Sequence, residues 1–250
     1  MPAATLSSSM PSALARARRI LVALVRCLVT TVEQEEAAGN PWEGYWGSTY
    51  GPELKQWLLK PVFETLESKG KIGDVIVDVG SGAAPVTRFL PNRAGRKRIF
   101  VDVAGDNGRA GEEQRVRLDA EKVGDEEALS FRKAAVRAGR FLGVEPRGER
   151  ECADMIVFSD LLNYVDFRKV LQGFGGFLKE EGRMVIVNLP IRGNEALFSE
   201  KGLKDNRELY PVLEGMGFEV EIKAFPKRGK DETDDAQELI VLVARERGSG

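Results

Sequence analysis

Histidine is absent from all 250 residues. That absence excludes Ser-His-Asp triads, Cys-His dyads, HExxH zinc sites and imidazole bases, so proton transfer would fall to carboxylates, tyrosine, lysine or water. Cysteine is nearly absent too. Cys27 and Cys152 are too few for a disulfide framework or a cysteine-based zinc site, and they point to a reducing, cytoplasmic setting. Neither sign of charge prevails: Lys+Arg 37 against Asp+Glu 39 leaves a net charge of -2. With no bulk positive field to hold a phosphate backbone, a nucleic-acid partner is not expected. Long apolar runs are missing as well. The stretch Ile20 to Val29 is broken by Arg26, well short of the ~20 residues that cross a bilayer, so no membrane span is expected.

The remaining composition, 42% hydrophobic and 30% charged, is that of a globular chain rather than a disordered one. The length suits one α/β domain with an appended terminal segment, which divides the chain into a cap and lid over 1–72 and a main domain over 73–247. Gly248-Ser249-Gly250 reads as a cloning remnant. In the first 32 residues Leu14, Ala17, Leu21, Leu24, Leu28 and Val32 recur at spacings of three and four, the pattern of a helix with one apolar face. Such a face packs on the domain or on a second copy as a dimer contact; the Arg-rich, acid-free composition also fits a targeting segment or a membrane-surface helix. Trp42, Tyr45, Trp46 and Tyr50 follow, interleaved with Gly44, Gly47 and Gly51. Rigid aromatics among glycines suit either a lid that excludes water or an anchor for the preceding helix. A helix over 52–68 is expected next, with Trp57, Leu58 and Phe63 inward and a kink at Pro61.

From Gly73 onward strands and helices alternate, which implies a parallel sheet because parallel neighbours need a crossover element. Strands are expected at 75–79, 98–103, 115–118, 155–159 and 184–188, and helices at 85–90, 126–141, 167–178 and 205–216. Two final strands, 218–225 and 238–244, flank a charged run over 227–235 that fits no helical period, so they should pair antiparallel through a solvated loop.

The segment Val75-Ile76-Val77-Asp78-Val79-Gly80-Ser81-Gly82-Ala83-Ala84-Pro85 is a buried strand delivering a tight glycine turn, with Pro85 placed to open a helix. Gly80 and Gly82 would let backbone N–H groups approach a ligand where a Cβ would obstruct. Asp102 closes the next strand, where a carboxylate can hold the adjacent hydroxyls of a ribose, and Asp119 closes the third, where it can accept from an exocyclic amine of adenine. Three successive strands ending in Asp78, Asp102 and Asp119 converge on one crevice.

On these residues the chain resembles the class I S-adenosylmethionine-dependent methyltransferases over about 74–245. The resemblance also uses the fourth strand, Ala153 to Asp160, and the turn Phe177 to Arg183 into the fifth, with Ala84 where a third glycine is usual. It implies a doubly wound, mostly parallel seven-stranded sheet with an antiparallel C-terminal strand, and S-adenosylmethionine as cofactor. Asp78, Gly80, Ser81, Gly82, Asp102, Val103, Asp119, Ala120 and Ser159 would then line the cofactor crevice. A nicotinamide dinucleotide fits less well, because its fingerprint wants a small residue where Pro85 stands and no second domain follows.

Methyl transfer from a sulfonium is an in-line displacement that a dry, aligned site can support. Asp160, Asn163 and Tyr164 follow the fourth strand where the methyl would be offered: Asp160 to orient or deprotonate an acceptor, the others to position it. Asp160 as a helix cap and Tyr164 as packing are the plainer alternatives. Base-methylating relatives carry (Asn/Asp)-Pro-Pro-(Tyr/Phe) here, and this stretch has no proline. The protein-lysine pattern would need a tyrosine where Asn163 stands. A small-molecule O or N nucleophile is therefore the expected acceptor, with a protein or peptide acceptor, or cofactor binding without catalysis, as alternatives. Asn188 and Arg192, after the fifth strand, are a second candidate acceptor wall.

Overall fold

The computed structural model describes residues 52–82, 85–103, 108–110, 113–123, 131, 133, 152–189, 198–224 and 240–246. The expected N-terminal helix, its dimer contact, the aromatic lid with Tyr45, Trp46 and Tyr50, Arg192, the charged loop and most of the helix over 126–141 lie outside these residues.

Eight strands form one sheet: β1 (Val75–Val79), β2 (Lys97–Asp102), β3 (Gly108–Ala110), β4 (Glu113–Arg117), β5 (Ala153–Ser159), β6 (Leu178–Asn188), β7 (Phe218–Ala224) and β8 (Ile240–Glu246). Their spatial order is β3-β4-β2-β1-β5-β6-β8-β7. The run β4-β2-β1-β5-β6 is parallel throughout, and β8 inserts antiparallel between β6 and β7. This is the seven-stranded arrangement expected, with the three-residue β3 added antiparallel at the β4 edge. Three residues carry too little pattern to announce a strand. The order reverses at β1/β5, so the crevice outside the carboxyl ends of those strands is the topological switch point.

Both faces of the sheet are covered, and strict alternation sorts the side chains. Val75, Val77 and Val79 of β1 join Ile156, Phe158, Met184, Ile186, Ile240 and Leu242 on one face. Ile76 joins Met155, Val157, Val185, Val187, Val241 and Val243 on the other. The first face is closed by α2 (Phe167–Gly175) and α3 (Leu209–Gly215), the second by α1 (Pro52–Ser68). Phe131 stands edge-on to Phe174 and Phe177, with ring centroids 5.4 and 4.9 Å apart. Such pairs add about 0.5–1.5 kcal/mol beyond their buried area.

Several expectations need correction. Trp57 is not inward but 50% exposed. The stripe that α1 buries is Leu58, Leu59, Val62, Phe63 and Leu66, and at 100° per residue Trp57 falls nearly opposite its centre. The helix itself spans Pro52–Ser68 as expected, with Pro61 inside it. The expected helix at 85–90 is a single 3₁₀ turn, Val86–Phe89, and Pro85 is its cap, with ψ 134, rather than its first residue. α2 ends at Gly175, and Leu178, expected at its end, already pairs with Ala153. The expected helix at 205–216 begins as a 3₁₀ turn under a capping box between Asp205 and Glu208.

The end of the sheet opposite the crevice is held by ion pairs. Arg96, with its guanidinium buried, donates to the Gly73 and Pro91 carbonyls and pairs with Glu67 of α1 at 2.7 Å. Glu221 receives Lys71 and Arg183, each at 2.9 Å. Burial alone would raise the Glu221 pKa, but those two bonds outweigh it and hold the carboxyl below its ordinary value. Cys152 lies at the same end, buried, and burial pushes its thiol up to about 11. Only the thiolate reacts, so Cys152 should resist a maleimide at pH 8 in the folded protein. Rapid modification of the Cys152 peptide, read by mass spectrometry, would contradict its buried placement.

Candidate active site

The glycine turn follows β1 because Gly80 and Gly82 both take left-handed backbone, with φ 71° and 54°. A Cβ at Gly80 would lie 3.0 Å from the Leu161 Cβ, so the turn backs directly onto the segment after β5. The N–H groups of Gly80 and Ser81 donate to the Val101 carbonyl, and that of Gly82 donates to Asp102 Oδ2 at 2.8 Å. Asp102 therefore sits against the glycine turn, as the sequence suggested. Ser81 Oγ is buried without a hydrogen-bond partner among the described residues.

Asp119 stands two residues past β4, and its Oδ1 caps the short turn Ala120–Lys122 by accepting from the Glu121 N–H. Glu121 in turn accepts from the Asp166 N–H at the start of α2. Ala120 is buried and Val103 exposed. Asp78 goes elsewhere. Its side chain is almost wholly buried, and Oδ2 accepts from both N and Oγ1 of Thr87. It thus anchors the 3₁₀ turn beyond the glycines.

Beyond Ser159, itself buried, the backbone makes a strained step. Asp160 has φ 49°, the sole positive φ on a non-glycine among the described residues. Its N–H donates to the Val187 carbonyl and its Oδ1 accepts from the Leu189 N–H at 3.2 Å. The carboxylate thus staples the end of β5 to the end of β6. Asn163 is buried, with Nδ2 donating to the Leu189 carbonyl at 3.4 Å. Tyr164 packs edge-on against Phe198, centroids 5.3 Å apart. Asn188 is fully buried, and its Nδ2 donates to Asn206 Oδ1 at 2.8 Å. Asp160 and Asn163 thus both bind the Leu189 backbone, whereas Asn188 turns to Asn206 and Tyr164 to Phe198.

Three contributors went unnoticed in the sequence. Thr87 holds Asp78, Asn206 holds Asn188, and Arg115 of β4 lies over the Phe100 ring with Nη1 3.5 Å from the Gly82 carbonyl. Only the pairing of Phe100 with Arg115 in the β2/β4 register brings that arginine to the glycine turn. No local motif marks it.

No protein-family model and no curated protein matches the chain. Solved structures do. The chain is similar to the CurJ carbon methyltransferase with TM-score 0.61 and 14% identity, covering 94% of this chain and 70% of that one. It is similar to the trans-methyltransferase CalH in complex with SAH, with TM-score 0.52 and 13% identity over 82% of this chain and 61% of CalH. LepI in complex with SAM gives TM-score 0.50 and 14% identity over 83% of this chain, which spans 51% of LepI. Identities this low speak for architecture alone. With six strands running one way, one inserted against them and a glycine turn at the switch point, the chain has the Rossmann-like fold of the class I S-adenosylmethionine-dependent methyltransferases.

Proposed function

We propose that this protein is an S-adenosylmethionine-dependent methyltransferase acting on a small molecule. The observation that carries the reading is the bond between the Gly82 N–H and Asp102, which ties a left-handed glycine turn to a carboxylate on the neighbouring parallel strand. The residues suit the cofactor. Asp102 would receive the ribose hydroxyls, Asp119 and Ala120 the adenine, and the buried Ser81 Oγ a polar group it otherwise lacks. Bound there, S-adenosylmethionine would supply an electrophilic methyl group on a sulfonium. CurJ is named a carbon methyltransferase, and CalH and LepI are seen with SAH and SAM, which supports the same cofactor here. Calorimetric titration with S-adenosylhomocysteine tests the assignment, and absence of binding would end it. A mass-spectrometric search for a +14 product in a metabolite extract separates an enzyme from a cofactor-binding protein without catalysis.

The acceptor is proposed to lie outside the ends of β5 and β6, against Asp160 and Asn163. Asp160 pays for its left-handed backbone with roughly 1–2 kcal/mol, and the staple to Leu189 is what that strain secures. On this reading Asp160 orients the acceptor wall and removes no proton. Alignment and desolvation can lower a barrier by about 7–11 kcal/mol, against 10²- to 10⁴-fold for a general base. Asp160→Asn keeps an oxygen for the Leu189 N–H and tolerates the same backbone, so kcat should fall less than about tenfold, with an unchanged pH profile. A loss of 10²-fold or more with S-adenosylhomocysteine affinity intact would make Asp160 the base.

A further inference from the structure

Resting on the methyltransferase reading, we infer that Glu121 is a positioning residue for the cofactor's base, setting the preference for adenine by holding the turn that carries Asp119. The turn Ala120–Lys122 is closed on itself: the Lys122 N–H donates to the Asp119 carbonyl at 2.9 Å, and the Glu121 N–H to Asp119 Oδ1 at 3.0 Å. Neither bond fixes where the turn stands against the rest of the fold. Two contacts with α2 do. Glu121 Oε1 accepts from the Asp166 N–H at 2.7 Å, and the buried Val123 packs so closely that a Cβ at Gly173 would collide with its Cγ1.

The Glu121 bond stands where a local one is usual. Asp166 is the N-cap of α2, and its Oδ1 accepts from the Lys169 N–H at 3.2 Å. In a capping box the residue at that third helical position returns an acceptor to the N-cap N–H, as Glu208 does for Asp205. Lysine has no acceptor to return. The carboxylate comes instead from Glu121, 45 positions earlier, and the positive end of the helix favours an anion there. One bond therefore both completes the cap of α2 and fixes the turn that presents Asp119. Asp119 is the proposed acceptor for the exocyclic amine of adenine. Hydrogen bonds weaken steeply with misalignment, and a binding group keeps its selectivity only within about 0.5 Å of the productive geometry. Without the Glu121 carboxylate the turn retains its internal bonds but loses its place, so the amine is met less well.

The test is calorimetric titration of the full chain with S-adenosylhomocysteine and with S-inosylhomocysteine, in which a carbonyl oxygen replaces the exocyclic amine. The wild type should bind the adenine ligand ~10-fold or more tightly than the other, the scale of a hydrogen bond to a charged group. In Glu121→Ala that ratio should fall to within about threefold, whereas Glu121→Gln, which keeps an acceptor for the Asp166 N–H, should retain it. Combining Glu121→Ala with Lys169→Glu separates positioning from capping, because it returns a local acceptor to the Asp166 N–H. Thermal melts of this double variant should recover toward wild type while the ratio stays low, and it carries the test if Glu121→Ala alone fails to fold. A ratio that recovers with the melting temperature would make Glu121 a helix cap only and overturn the inference. An unchanged ratio in Glu121→Ala, or equal affinities in the wild type, would overturn it too and leave the methyltransferase reading standing. Absence of S-adenosylhomocysteine binding in the wild type would instead end that reading, and this inference with it.

Discussion

Replacing Asp102 with alanine is expected to weaken S-adenosylhomocysteine binding by about 1.5–3 kcal/mol, roughly 10- to 150-fold, because hydrogen bonds to a charged group carry that weight. Two losses combine in this variant. The ribose hydroxyls lose their acceptor, and the Gly82 N–H loses the carboxylate that now sits 2.8 Å away. Asp102→Asn separates them, since its amide oxygen can still accept from Gly82 while the charge is gone. An intermediate loss is expected there. Asp102 is only partly buried at a strand end, so the melting temperature should move little in either variant. Calorimetry that returned wild-type affinity for Asp102→Ala would refute the ribose assignment.

The second large effect is expected at Gly202. The turn around it lies against the segment after β5: the Ser199 N–H donates to the Asn163 carbonyl, and the Leu203 N–H to that of Leu162. A Cβ at Gly202 would stand 2.0 Å from the Asn163 carbonyl oxygen and 2.7 Å from its carbon. Backbone cannot yield as a flexible side chain does, so Gly202→Ala must push the two segments apart. The expected cost is about 2–3 kcal/mol, and at 2–4 °C per kcal/mol the melting temperature should fall by ~4–12 °C. Because the displaced partner is Asn163, turnover should suffer while S-adenosylhomocysteine affinity stays unchanged. A variant that melts within 2 °C of wild type would mean that the contact is looser than the structure places it.

The division between what was legible and what was hidden follows sequence separation. β1 begins and ends where its apolar run does, and Gly80 and Gly82 adopt the left-handed turn that their position after that run implies. Asp102 was legible for the same reason, as a charged residue closing an apolar strand. Asp78 shares that pattern, yet its carboxylate points to Thr87. Strand-end position specifies a face of the sheet only once the neighbouring strands are paired, and nothing local distinguished the two acids. Trp57 lies outside the five-residue stripe that defines the buried face of its helix, so it stays exposed although Leu58 and Phe63 turn inward.

The sequence by itself determined the alternation of strands and helices, the antiparallel closing pair, the glycine turn and the absence of imidazole chemistry. Each of these depends on residue type, or on periodicity within a few positions, where backbone sterics and burial act directly. Only the tertiary structure decided what converges on Leu189. Asp160 and Asn163 bind its backbone, Asn188 beside it in the chain binds Asn206, and Gly202 packs against the Asn163 carbonyl. Those residues are up to 46 positions apart (206 minus 160), and their meeting depends on sheet order and strand register, which no local periodicity encodes. The strain at Asp160 has the same origin: the nearness of β6 gives its carboxylate the Leu189 N–H as a partner.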